Sequence, residues 1–147
     1  MRKPYHGRQR AAGTVIMVGI IIAVLILVLG VWSRSGPGAV RGITTNVKRV
    51  GYLQSLGWDV ETVPVTEQTV HLPEEFPDVL KQYNELQKQQ NFDLEKYSGR
   101  DITLYTYRVL NYPGNDEVQC SLYLFRGRVI GGDIHSTSFT GFMCGIR

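Results

Sequence analysis

Asp133-Ile134-His135-Ser136 is the one stretch of this sequence whose residue types and order resemble chemistry. On a strand, positions 133 and 135 project to the same face, where a carboxylate can orient an imidazole as a general base. Ser136 or Ser138 would then have to supply a nucleophile. No nucleophile elbow, activated cysteine or oxyanion loop accompanies them. The plainer reading is a strand end whose polar side chains hydrogen-bond locally, so Asp133, His135 and Ser136 stand as a candidate polar cluster and no catalytic residue is assigned.

The remaining reactive types are sparse. His6, His71 and His135 show no ligand spacing, and neither a metal nor a cofactor is expected. Cys120 and Cys144 are the only cysteines. In an oxidising compartment such a pair can form one disulfide; the alternative is two small buried hydrophobes. Glu74-Glu75 suits the first turn of a helix, and Asp116-Glu117 falls in a turn, so neither pair points to a glycosidase.

Positioning these residues requires a folded body, and the hydrophobic pattern outlines one. Val47, Val50, Leu53 and Leu56 recur at helical spacing, with a cap among Thr44, Thr45 and Asn46 and a stop at Gly57. Trp58 to Pro73 turns β-branched and reads as two short strands or one bent strand, with Pro64 at an edge or bulge. A second helix is expected from about Pro73 to Gln90, its stripe being Phe76, Val79, Leu80, Tyr83 and Leu86. A three-stranded meander follows: Asp101 to Tyr112, Val118 to Phe125 and Arg128 to Ile134, with turns at Pro113-Gly114-Asn115-Asp116 and Arg126-Gly127. Gly131-Gly132 interrupts the last strand and implies a bulge or close backbone packing. Phe139, Phe142 and Met143 imply that the tail packs back.

The side of the middle strand carrying Val118, Cys120, Leu122 and Leu124 is expected to pack against both helices. Its other side carries Tyr123 and Phe125. One hairpin register adds Tyr105 and Tyr107 to these as an aromatic binding face; the other sends both tyrosines into the core.

Ahead of this body, Ala11 to Trp32 is free of charge and, at about 1.5 Å per residue, spans roughly 30 Å, a bilayer's hydrocarbon core. It is longer than the apolar region of a cleavable signal peptide, and Val31-Trp32-Ser33-Arg34 makes a poor cleavage site. Arg2, Lys3, Arg8 and Arg10 crowd the near side, whereas only Arg34 lies close on the far side. That asymmetry places the N-terminus in the cytoplasm. The expected organisation is a cytoplasmic basic tail (1–10), a transmembrane helix (11–32), a tether (33–43) and an extracytoplasmic domain (44–147). The fold class is α+β: one N-terminal transmembrane helix, then two amphipathic helices packed on an antiparallel sheet that ends in the meander.

Charge follows the same division. The net +3 comes from the membrane flanks, because all 13 acidic residues lie from Asp59 onward. The folded part is mildly acidic, which argues against nucleic acid as a partner.

Four phrases in order resemble a bacterial family known as domain of unknown function 4830: GYLQSLGWDV (Gly51 to Val60), YNELQKQQNFDL (Tyr83 to Leu94), YTYRVLNYPG (Tyr105 to Gly114) and VIGGDIHSTSFTGFMCG (Val129 to Gly145). The resemblance implies an envelope protein and carries no activity or functional residue with it. The reading that follows is a non-enzymatic module in the cell membrane whose partners are the lipid bilayer and an envelope protein, peptide or cell-wall ligand. One alternative is a subunit recognised through its membrane helix, where Gly19 and Ala23 form a small-xxx-small pair. Another is a small hydrolase using Asp133 and His135.

Overall fold

The computed structural model describes residues 40–114, 117–138 and 140–147. The expected membrane helix and basic tail, together with Asn115, Asp116 and Phe139, lie outside the described residues. Among the described residues, no helix is long and apolar enough to cross a membrane.

Helix α1 runs Asn46–Ser55, with the Thr45 side chain accepting a hydrogen bond from the Lys48 N–H. The chain leaves it at Gly57, whose φ of +93° is open to glycine without strain. Val50 and Leu53 are buried, but Val47 is 81% exposed. A strict spacing of three residues drifts by about 60° per step around a helix with 3.6 residues per turn. Val47 therefore falls outside the buried stripe, and Arg49 and Tyr52 complete it instead.

Strand β1 (Thr66–His71) follows an isolated bridge between Val60 and Val109, so the β-branched stretch forms two short pieces. Helix α2 spans Asp78–Gln89, starting later than its pattern implies. Pro77, extended at φ −64° and ψ 162°, is the reason: the residue before a proline is disfavoured in the helical region. Glu74 and Glu75 consequently precede the helix rather than occupy its first turn, and Asp78 takes that role.

After a 3₁₀ turn at Leu94–Tyr97 come β2 (Asp101–Arg108), β3 (Val118–Phe125), β4 (Arg128–Ser136) and β5 (Met143–Gly145). The fold is an α+β domain of two helices with a five-stranded antiparallel sheet in the order β1-β2-β3-β4-β5. The fifth strand is made by the tail, three residues too short to show an alternation. It carries Ile146 into the core, while Phe142 stacks on Tyr112 at 4.7 Å. At the other end, Val40 and Ile43, read as tether, hydrogen-bond to Val129 and Gly127.

The helices do not share one face of the sheet. Val50 and Leu53 of α1 belong to a core with Tyr107, Cys120, Leu122 and Ile134. Leu80 and Tyr83 of α2 pack against a second core containing Leu94, Ile102 and Ile130, beside Tyr123 and Phe125. Both sides of β3 were apolar enough to need cover, and one helix closes each.

Helix α2 meets β4 through amides. Gln87 Oε1 accepts the Gly132 N–H at 2.9 Å; Gln90 donates to the Gly132 carbonyl at 3.1 Å and accepts the Ile146 N–H at 2.7 Å. Such an approach needs glycine. A Cβ on Gly131 would lie 3.0 Å from Gln87 Oε1, and one on Gly132 would lie 2.9 Å from the Ser121 carbonyl. The register also shifts here, with Tyr123 opposite Gly131 and Leu124 opposite Val129, leaving Ile130 as the extra residue of a bulge. The glycine pair thus marks both features expected of it.

Candidate functional site

Beyond the bulge, β4 places Asp133 and His135 on the α2 face, opposite Ser121 and Gln119 of β3. Asp133 is 1% exposed. Its Oδ1 lies 2.7 Å from His135 Nδ1, and Tyr83 of α2 donates its hydroxyl to Oδ2. The hydrogen bond to Asp133 raises the His135 pKa above its ordinary value despite partial burial. Burial, with the Tyr123 ring and the Asp133 charge behind it, pushes the Tyr83 phenol far up, so it stays a neutral donor. Ser136 does not join this cluster. It faces the other side of β4, opposite Val118, and its Oγ accepts the Ser138 N–H at 3.1 Å. Sequence alternation found Asp133 and His135; Tyr83, fifty residues upstream on a helix, had no signal linking it to them.

The four residues proposed as an aromatic face are divided by the sheet. Tyr105 pairs with Leu122 and Tyr107 with Cys120, which puts both tyrosines on the α1 side, away from Tyr123 and Phe125. Tyr107 is fully buried. Its hydroxyl accepts from Arg49 Nε and donates to Asn46 Oδ1, each at 2.8 Å, while the Arg49 guanidinium sits 3.6 Å above the Tyr105 ring. These tyrosines hold a buried arginine in place. On the opposite side Tyr123 meets Tyr83 edge-on at 6.0 Å, and Phe125 meets Tyr97 at 5.3 Å.

Cys120 and Cys144 are both free thiols. They sit on β3 and β5, each paired with Ile134 of the strand between. Two interstrand spacings separate their backbones by roughly 10 Å, beyond the Cα separation of about 4.4–6.8 Å that a disulfide spans. Burial raises the pKa of both thiols, strongly for the fully buried Cys120, which is a packing residue; Cys144 is partly exposed. Among the described residues, no three His, Cys, Asp or Glu side chains group as metal ligands.

A further site was not apparent from the sequence. Arg41, Tyr97, Phe125, Arg126 and Arg128 line a cavity of about 400 Å³. Arg41 enters it because its backbone bridges Arg128, so an arginine from the entering segment joins two from the β3–β4 turn around one space. A second cavity of about 220 Å³ shares Tyr97 and Arg128 and includes Asp93, which is already held by Asn84 and Lys96. Only the Arg126-Gly127-Arg128 hairpin tip hinted at this site; Arg41 lay in the apparent tether.

In comparison with known proteins, residues 52–134, more than half of the chain, match the family described as domain of unknown function DUF4830. No curated protein and no solved structure matches the sequence.

Proposed function

The chain belongs to the DUF4830 family, whose description assigns no function, and from the chain's own residues we propose that it is a single-pass, membrane-anchored extracytoplasmic module that binds a partner and performs no catalysis. The observation carrying the non-enzymatic part is the state of Asp133. Both of its oxygens are engaged, by Tyr83 and His135, and it is almost completely buried. His135 has an orienting carboxylate, but Ser136 points away, and among the described residues no hydroxyl or thiol hydrogen-bonds its free nitrogen. The cluster is thus better suited to joining α2 to β4 than to activating a nucleophile. The charge-free run from Ala11 to Trp32 and its basic cytoplasmic flank support the anchor.

The test is labelling of intact bacterial cells with a membrane-impermeant amine reagent. Lys81 and Lys96, whose side chains are 58% and 75% exposed, should react without lysis. Reaction only after lysis reverses the orientation, and release of the protein by alkaline carbonate removes the anchor. Affinity purification of the full-length chain from native membranes then identifies the partner; an assembly that survives only with residues 11–32 intact favours recognition through the membrane helix instead.

A further inference from the structure

We propose that the cavity lined by Arg41, Arg126 and Arg128 binds the phosphate of an anionic phospholipid headgroup; the proposal rests on the anchored reading above. No acidic side chain among the described residues lines this cavity. Among the described residues, none of the three arginines makes an ion pair; Lys48, Arg49 and Arg100 make none either, but they do not line this cavity. Because the folded part is mildly acidic, a cationic cluster here is a local segregation of charge. Guanidinium forks match phosphate oxygens, and Tyr97 and Phe125 add an apolar wall suited to the glycerol end of a lipid.

The backbone at the cavity points the same way. Arg126 and Gly127 both have positive φ, +49° and +72°, the signature of a type I′ hairpin turn. The first position of that turn favours asparagine, aspartate or glycine. Arginine there is strained, and a strained non-glycine residue is a reason to look for a role for its side chain. The position in the chain also fits. Val40 and Arg41 pair with β4 beside the cavity, and residues 33–39 separate Val40 from Trp32. At about 3.5 Å per residue, that segment can span no more than roughly 25 Å, so on the anchored reading the connection to the bilayer is short.

The experiment uses the full-length chain in nanodiscs of phosphatidylcholine with or without phosphatidylglycerol. Phenylglyoxal modification is read at each arginine by mass spectrometry. A basic residue near an anionic membrane contributes about 1 kcal/mol, or about fivefold in occupancy at 1.4 kcal/mol per tenfold. Arg41, Arg126 and Arg128 should therefore react about fivefold more slowly with phosphatidylglycerol present, while Arg100, exposed and outside the cavity, should not change. Equal rates in both lipids overturn the proposal. If the chain fails to enter discs, the anchored reading falls, and short-chain phosphatidylglycerol against short-chain phosphatidylcholine in solution decides the cavity by the same protection. Equal protection by inorganic phosphate at matched concentration assigns a free anion and overturns the lipid. Arg126→Asn supplies a control for folding. Relief of the turn should raise Tm while protection of Arg41 and Arg128 is lost; a raised Tm with protection unchanged also overturns the proposal.

Discussion

Facing α1, the sheet presents Tyr107, Cys120, Leu122 and Ile134, and the helix answers with Val50 and Leu53. Facing α2, it presents Ser121, Tyr123, Gly131 and Asp133, and the helix answers with Tyr83 and Gln87. The first contact combines apolar burial with one side-chain network, Arg49–Tyr107–Asn46, whereas in the second the side-chain amides of Gln87 and Gln90 bond directly to the sheet's backbone. Burial tolerates changes of shape provided that volume is kept. Hydrogen-bonded amides tolerate even a volume-conserving change poorly, because removing one partner strands buried backbone groups.

The largest effect should come from the α1 side. Leu53 is fully buried, and Leu53→Ala should lose about 3 kcal/mol in a urea unfolding titration, within the usual range for a core cavity. Leu53→Met, which keeps the volume, should lose under about 1.5 kcal/mol. A similar loss for both variants would mean that the α1 side is as directional as the other.

A volume-conserving change on the α2 side should behave differently. Gln90→Met removes the donor to the Gly132 carbonyl and the acceptor for the Ile146 N–H, both buried. The expected loss is about 2 kcal/mol, more than that of Leu53→Met although both variants receive methionine. If the two cost the same, the amides merely fill space, and the contrast between the faces disappears.

The smallest effect is a pH slope from the Asp133 cluster. Asp133 raises the folded-state pKa of His135, so the folded chain holds this proton more tightly than the unfolded chain. The resulting stabilisation is fully present below the unfolded value of about 6.5. It is lost as pH rises from there through the raised folded value. Tm measured between pH 5.5 and 8.5 should fall across that window in the wild type, and His135→Gln should flatten that part of the slope. Parallel curves would show that the imidazole gains nothing from its carboxylate.

The contrast between the faces also explains what was legible from residue order. Alternation and turn residues placed β3 at its observed limits, and Gly131-Gly132 announced the bulge and the close approach. These are local signals, because the strand repeat and glycine's missing Cβ act within a few residues. Asp133 and His135 were brought to one face by the same period of two.

What lay beyond reach was every feature set by partners distant in the chain. Apolar periodicity cannot register Gln87 or Gln90 as inward-facing, since an amide is buried only when a particular backbone group is there to meet it. The first hairpin's register, and with it the side taken by Tyr105 and Tyr107, depended on how a ten-residue-scale connection closed, and a shift of one residue would have reversed it. Cys120 and Cys144 were an even pair by count, yet Ile134 came to stand between them. Arg41 joined Arg126 and Arg128 only when the entering segment paired with β4. Short-range sterics and hydrophobic period are written residue by residue, whereas strand order and helix placement arise from burying both faces of one sheet at once.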